Sequence, residues 1–254
     1  MHPSAAPTSE ISTVGSGIVG AIPARYGSSR LPGKPLLPIA GRPMIEHVYA
    51  RVARARGLDR VVVLTDDERI ARAVESFGGD WEMTPEDCAS GTDRIAWAAR
   101  RWDAAAVVNI QGDEPLIDPE AVSRIARHLA AHPDDPVVTL ASPLDPGQWD
   151  NPNAVKVVLS LAGYALYFSR SPIPYVRQEG GARPWKHLGI YGYQSAALQR
   201  LAALPPTPLE RSESLEQLRA LEHGIPIRVL PVEEGAPGVD TQEDLERVER
   251  LLGT

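Results

Sequence analysis

Short apolar runs alternate along the chain with amphipathic stretches of helical period. Ile18–Ile22 reads as a buried strand, and "RVVVLTD" at 60–66, "AAVVNI" at 105–110 and "VVTLA" at 137–141 read the same way. Between them, Met44, Val48 and Val52 share one face of a helix predicted over 43–56, with Pro43 at its first position and Gly57 as its stop. Ile70, Val74 and Phe77 predict a second helix over 68–77, ended by Gly78. A third is predicted over 92–102, and a fourth starts at Pro119 with Asp118 as cap. Strands alternating with helices in this way predict an α/β fold with a mostly parallel sheet covered on both faces.

After about residue 142 the alternation weakens. "SPLDPGQWDNPNA" is a proline-rich connection, "VKVVLSLAGYALYFS" predicts a hairpin turning at Ala162–Gly163, and "HLGIYGY" predicts a further strand. Helices are predicted over 195–204, 212–223 and 241–252, with a strand over 227–230. The expected organisation is one domain, 17–254, with a smaller antiparallel portion at about 143–193 and no internal repeats. The first 16 residues have neither a basic start nor a hydrophobic core, so they do not read as a secretory signal but as a disordered leader.

Charge and composition narrow the partners. A formal net charge of −7 argues against a nucleic-acid binder, whose footprint is normally basic. No apolar run approaches the roughly 18 residues of a membrane span. The single Cys88 excludes an intrachain disulfide and suits a reducing compartment. The expectation is a soluble, cytoplasmic protein whose partners are small molecules.

The chemistry starts in "PARYGSSRLPGKPL", which follows the first apolar run and holds three cations, Arg25, Arg30 and Lys34. It is not a P-loop: five residues separate Gly27 from Gly33, and Pro35 follows Lys34 where a hydroxyl residue is needed. It is not a dinucleotide fingerprint either, because only one glycine stands directly after the strand. Arginines with forked donors and a lysine point charge suit a triphosphate. A triphosphate normally carries Mg²⁺, which takes one or two protein carboxylates. In an open α/β sheet, ligands bind beyond the carboxyl ends of the strands. There the chain also offers Thr65–Asp66 and "QGDEP", whose Asp113 is placed for the metal. Asp240, in "GVDTQEDLERV", fits two roles, a helix N-cap and a second metal carboxylate.

With these residues in view, the sequence resembles the 3-deoxy-manno-octulosonate (Kdo) cytidylyltransferase family. The carrying motifs, in family order from Ile18 to Leu252, are "IPARYGSSRLPGKPL", "SGTDR", "VNIQGDEP", "NPNAVKVV", "ALYFSRSPIP", "HLGIYGY", "LEQLR" and "GVDTQEDLERV". The resemblance implies a Rossmann-like fold of the nucleotide-diphospho-sugar transferase type. It also implies a homodimer, and Mg²⁺-dependent conversion of CTP and Kdo to CMP-Kdo and pyrophosphate for lipopolysaccharide synthesis. It implies triphosphate binding by Arg25, Arg30 and Lys34, with Arg25, Lys34 and Asp113 catalytic and Asp113 and Asp240 on the metal. Arg94 and Gln111 border the nucleotide, and the sugar side falls on Arg170, His187, Tyr191, Glu216 and Gln217.

The residues themselves leave blander readings open. A lone His in an apolar strand is commonly a hydrogen-bonded pocket wall, so His187 is read as a substrate contact and no general base is assigned. Tyr191, four residues on, shares its strand face. Glu216 and Gln217 would also suit an exposed helix face. Two departures stand out: Cys88 occupies a position where the family usually has His, and the segment before "HLGIYGY" is short. Rival readings are a cytidylyltransferase for sialic acid or an amino-Kdo, and a non-catalytic nucleotide-binding regulator.

Overall fold

The apolar run 18–22 forms the middle of the first strand, β1 (Gly17–Ala24). Its side chains alternate, as the period of two requires: Val19 and Ala21 enter one core, Ile18 and Ile22 the other. A computed structural model describes residues 17–27, 31–178, 180–181, 183–239 and 241–252. The leader lies outside the described residues, as do Arg30 and Asp240.

After β1 come β2 (Pro38–Ile39), β3 (Arg42–Pro43), α1 (Met44–Val52), β4 (Arg60–Thr65), α2 (Glu68–Ser76), β5 (Trp81–Met83) and α3 (Gly91–Ala99). Then follow β6 (Ala104–Asn109), α4 (Pro119–Ala131), β7 (Val137–Pro143), β8 (Lys156–Leu159), β9 (Ala165–Ser169) and β10 (Trp185–Gln194). The chain continues through α5 (Ser195–Ala202), α6 (Pro208–Glu213), α7 (Gln217–Glu222), β11 (Ile227–Pro231) and α8 (Gln242–Leu252).

Among the described residues the main sheet has the order β11-β7-β10-β6-β1-β4-β5, with the β8–β9 hairpin joined to β10. β5, β4, β1 and β6 run parallel, as do β7 and β11. β10 is antiparallel to both β6 and β7. The antiparallel portion is thus wedged into the centre of the main sheet through β10, not set beside it. Ile95 of α3, Leu198 of α5 and Leu218 of α7 cover one face; Val48 of α1, Ile70 of α2 and Ile125 of α4 cover the other. Gly192 lets α4 reach β10, since a Cβ there would stand 2.4 Å from Ile125 Cγ2.

Three predicted helices differ, the one predicted over 92–102 ending at Ala99. The first ends at Val52 rather than 56, because Val52 is its last fully buried side chain and Ala53 and Arg54 face solvent. Gly57 takes its positive φ in the following turn instead. The helix predicted over 212–223 is two helices. Pro208 and a Thr207–Glu210 capping box start α6 earlier, and Ser214, at φ 51°, breaks the chain before α7.

Candidate active site

β1 lies between β4 and β6, with the chain leaving it in opposite directions, which is the crevice where open α/β sheets bind ligands. The ends of β1 and β6 are held level by Ala21 opposite Asn109 and by the Ile110 N–H donating to the Ala21 carbonyl at 3.0 Å. Gly112 then passes so close to the Pro23 carbonyl that a Cβ would stand 3.0 Å from it. The two polar loops are therefore pressed together by backbone.

A cavity of about 430 Å³ opens at this point. Arg25 and Lys34 come to it from the loop after β1, Gln111 and Asp113 from the loop after β6, and Arg94 from α3. Five of the sequence-predicted residues thus share one space. Lys34 Nζ donates to Asp113 Oδ2 at 2.6 Å. The backbone of Tyr26 and Gly33 closes the base of the cation loop at 3.0 Å, and Gly33 at φ 68° starts the turn carrying Lys34.

Arg94 is not a free cation. Its guanidinium donates to Asp66 Oδ2 at 2.5 Å, to the Pro85 carbonyl at 3.3 Å and to the Thr84 hydroxyl, and its side chain is 4% exposed. Asp66 comes from the loop after β4, so that loop serves the cavity indirectly by anchoring α3. α3 in turn presents its N-terminus, with Ser90 accepting from the Asp93 N–H and Gly91 against Pro23. Cys88, Ser90 and Gly91 also line the cavity, although within "SGTDR" only Arg94 was expected at the nucleotide. The signal was present as a Ser-x-x-Asp cap before a helix, which by itself is ordinary capping.

The donors fit a hard cation. Asp113 turns a carboxylate toward a polar cavity, with side-chain exposure of 37%. Among the described residues no three His, Cys, Asp or Glu side chains group as a metal cage. A cation here would draw its other ligands from phosphate and water, as Mg²⁺ does. The Val239 N–H, immediately before position 240, donates to the Asp113 carbonyl at 2.9 Å. Burial, together with the charge of Asp113, pushes the Glu114 carboxyl up to about 8.

Asn109 links this cavity to the remaining predicted residues. Its Oδ1 accepts from Gln111 Nε2 at 3.2 Å, and it pairs in register with Tyr191 on β10. β10 bulges between Leu188 and Tyr191, so His187 and Tyr191 stand opposite Ala141 and Thr139, two residues apart. The bulge keeps them on one face and brings their ring centroids to 5.3 Å, where a regular strand would separate them by about 13 Å. Thr139 Oγ1 donates to the Ile190 carbonyl at 2.8 Å and so accepts from His187 Nε2–H at 3.0 Å. The imidazole is neutral, and burial pulls it down to about 3. Burial likewise raises the hydroxyls of Tyr191 and Tyr193.

Glu216 and Gln217 lie inward, not on an exposed face. Gln217 is buried, and Glu216 Oε1 is buried without a hydrogen-bond partner. Burial raises the Glu216 carboxyl, with Thr92 of α3 as its neighbour. None of Arg170, His187, Tyr191, Glu216 and Gln217 is among the residues lining the 430 Å³ cavity, and His187 lines a separate one of about 170 Å³ with Glu114 and Lys186. Arg170 is engaged elsewhere. Its guanidinium donates to the carbonyls of Glu213 at 2.7 Å, Pro152 at 3.0 Å and Ser214 at 3.3 Å.

A mostly parallel sheet carrying cations, a carboxylate and a helix N-terminus around one cavity fits an α/β protein of the nucleotidyltransferase class. A cytidylyltransferase family model matches residues 19–229. The chain is 54% identical over 241 residues to the 3-deoxy-manno-octulosonate cytidylyltransferase of Syntrophobacter fumaroxidans, spanning 92% of this chain and 96% of that one. Against the Escherichia coli protein of that name the identity is 48% over 231 residues, spanning 91% and 94%. A solved CMP:2-keto-3-deoxy-manno-octonic acid synthetase complexed with CTP matches with a TM-score of 0.91 at 47% identity, covering 94% of this chain and 99% of its own. The 4-diphosphocytidyl-2C-methyl-D-erythritol synthase of Anaerococcus prevotii, at 13% identity and a TM-score of 0.61, shares the fold alone. The chain belongs to the 3-deoxy-manno-octulosonate cytidylyltransferase family. No helix among the described residues is long and apolar enough to cross a membrane.

Proposed function

We propose that the protein transfers CMP from CTP to the anomeric hydroxyl of Kdo, giving CMP-Kdo and pyrophosphate for lipopolysaccharide synthesis, as a cytoplasmic homodimer. The observation that carries this reading is the single cavity joining Arg25, Lys34, Arg94, Gln111 and Asp113 at the switch point of the sheet, in a chain of this family.

The reaction is attack by the sugar hydroxyl on the α-phosphorus with departure of pyrophosphate, and such transfers need positioning and charge neutralisation above all. Arg25 and Lys34, with Arg30 of the same loop, bind the triphosphate and neutralise charge accumulating on the leaving group. Lys34 exchanges its carboxylate partner for phosphate as CTP enters. Asp113 and Asp240 would hold Mg²⁺, which would supply positive charge to polarise the α-phosphate and lower the pKa of the acceptor hydroxyl. Gln111 and the start of α3 border the nucleotide, and Arg94 acts by keeping α3 in place. On the acceptor side, Tyr191 offers a hydroxyl, His187 a neutral ring, and Gln217 an amide. Glu216 Oε1, an acceptor without a donor, is suited to a sugar hydroxyl, because an unmet buried acceptor costs about 1–3 kcal/mol.

Pyrophosphate release from CTP, measured with Kdo, sialic acid or no sugar, tests the reading. Release should depend on Kdo and be slower with sialic acid and with UTP in place of CTP. Sugar-independent silence with every acceptor would point to a nucleotide-binding regulator, and faster turnover with sialic acid to another acceptor.

A further inference from the structure

Lys156 opens β8 and has no exposed surface, one of the largest fully buried side chains of the described residues. Its ammonium donates to two backbone carbonyls, Asn151 at 2.7 Å and Arg170 at 2.9 Å. Neither acceptor is a carboxylate, although Asp150 and Glu213 lie near enough to favour the charge. Removing an ammonium from water without a close counter-ion is costly, whereas an apolar side chain of similar length would avoid that cost and leave two carbonyls without this donor. The two terms oppose each other, so stability alone gives no strong reason for a lysine here. What the ammonium does is geometric.

It draws together the turn at 151–152 and the end of β9. Arg170 is then held at both ends: its carbonyl by Lys156, and its guanidinium by the Pro152, Glu213 and Ser214 carbonyls. Glu213 is fixed in return, since its carboxylate accepts from Ser169 Oγ at 2.6 Å and from the Arg170 N–H at 2.9 Å. Directly after it, Ser214 makes its left-handed corner and leads through buried Leu215 to Glu216 and Gln217.

We propose that Lys156 is a positioning residue for acceptor binding: by pinning the Asn151 and Arg170 carbonyls it sets Arg170 and, through it, the corner that delivers Glu216 and Gln217. This rests on the reading of Arg170, Glu216 and Gln217 as the acceptor side.

The experiment is steady-state kinetics with CTP and Kdo varied separately, beside thermal melting, for Lys156→Met, Lys156→Gln and Arg170→Ala. Lys156→Met should melt as a folded protein, raise KM for Kdo about tenfold, and leave KM for CTP within about twofold. Lys156→Gln, which keeps two N–H donors for the two carbonyls, should fall between wild type and Met. An unchanged KM for Kdo in Lys156→Met, with Arg170→Ala raising it, would overturn the inference while leaving the acceptor side where it is. If Arg170→Ala also left it unchanged, the acceptor-side reading itself would fall. Failure of both Lys156 variants to fold would mark the lysine as a stability residue and equally overturn the assignment.

Discussion

Lys34 and Asp113, 79 residues apart in the chain, meet through a 2.6 Å hydrogen bond that joins the loop after β1 to the loop after β6. Lys34 is largely enclosed, with side-chain exposure of 13%, while Asp113 stays open to the cavity at 37%. The pair keeps a cation and a metal-type carboxylate at the same spot before any ligand arrives. An ion pair this exposed on one side adds little to stability, on the order of 0–1 kcal/mol. Asp113→Asn should therefore leave the melting temperature nearly unchanged and lower turnover by about a hundredfold or more. Lys34→Met should behave alike. A normal kcat in either variant would remove that residue from the chemistry.

The Asp66–Arg94 pair should respond differently, because it is enclosed. Asp66→Ala strands a guanidinium that is 4% exposed, which costs about 3–5 kcal/mol when one partner of a buried pair is removed. Melting should drop by several degrees, and KM for CTP should rise because the start of α3 loses its anchor. Thermal melting with CTP titration checks both. An unaltered melting temperature would show that Arg94 finds sufficient partners in Thr84 and Pro85.

Gly112→Ala probes the contact between the two loops. A Cβ there meets the Pro23 carbonyl at 3.0 Å, and backbone cannot swing away as a side chain can. The loops should separate by a few tenths of an ångström. Displacement on this scale at a reacting centre lowers kcat/KM by about tenfold or more, with folding preserved. Wild-type kinetics would mean that the loops have slack.

His187 should shape the acid limb of stability. Its folded value is about 3, against about 6.5 for an unfolded histidine. As pH falls, the unfolded chain takes the proton first. The stability held by the neutral ring is complete above about pH 6.5 and is lost progressively toward pH 3. His187→Asn, which can still donate to Thr139, should flatten the decline of unfolding free energy with falling pH. Urea unfolding between pH 4 and 7 is the check, and parallel slopes for the two proteins would contradict it.

The cavity at the ends of β1 and β6 was legible because its determinants are local. An apolar run followed by Arg25 and Lys34, or by Gln111 and Asp113, places those groups at strand ends whatever else the chain does. The arrangement around β10 was not local. β10 enters the middle of the sheet from a run, "HLGIYGY", that carries no mark of its neighbours, and its bulge depends on pairing with Thr139 some 48 residues away. Arg94 carries no sign that Asp66, 28 residues earlier, will engage it. β5, at three residues, is too short for a period to register. The split at Ser214 was missed because "SESLEQLRALEH" holds good helix formers throughout, and tertiary contacts overrode them. Glu216 and Gln217 were reached only through family likeness, and the burial of Gln217 and of Glu216 Oε1 belongs to the fold rather than to their own helix.

Transfer of CMP from CTP to Kdo in the cavity shared by Lys34 and Asp113 is tested with CTP labelled at the α-phosphate, supplied with Kdo and Mg²⁺, by following label into a nucleotide-sugar product alongside pyrophosphate, for the wild-type protein and for folded Asp113→Asn. Label should appear in CMP-Kdo in equal amount to pyrophosphate, only when Kdo and Mg²⁺ are both present, and nearly vanish in the variant. Label transfer at the wild-type rate by Asp113→Asn would remove Asp113 from the reaction, and none by the wild-type protein would rule out CMP transfer to Kdo.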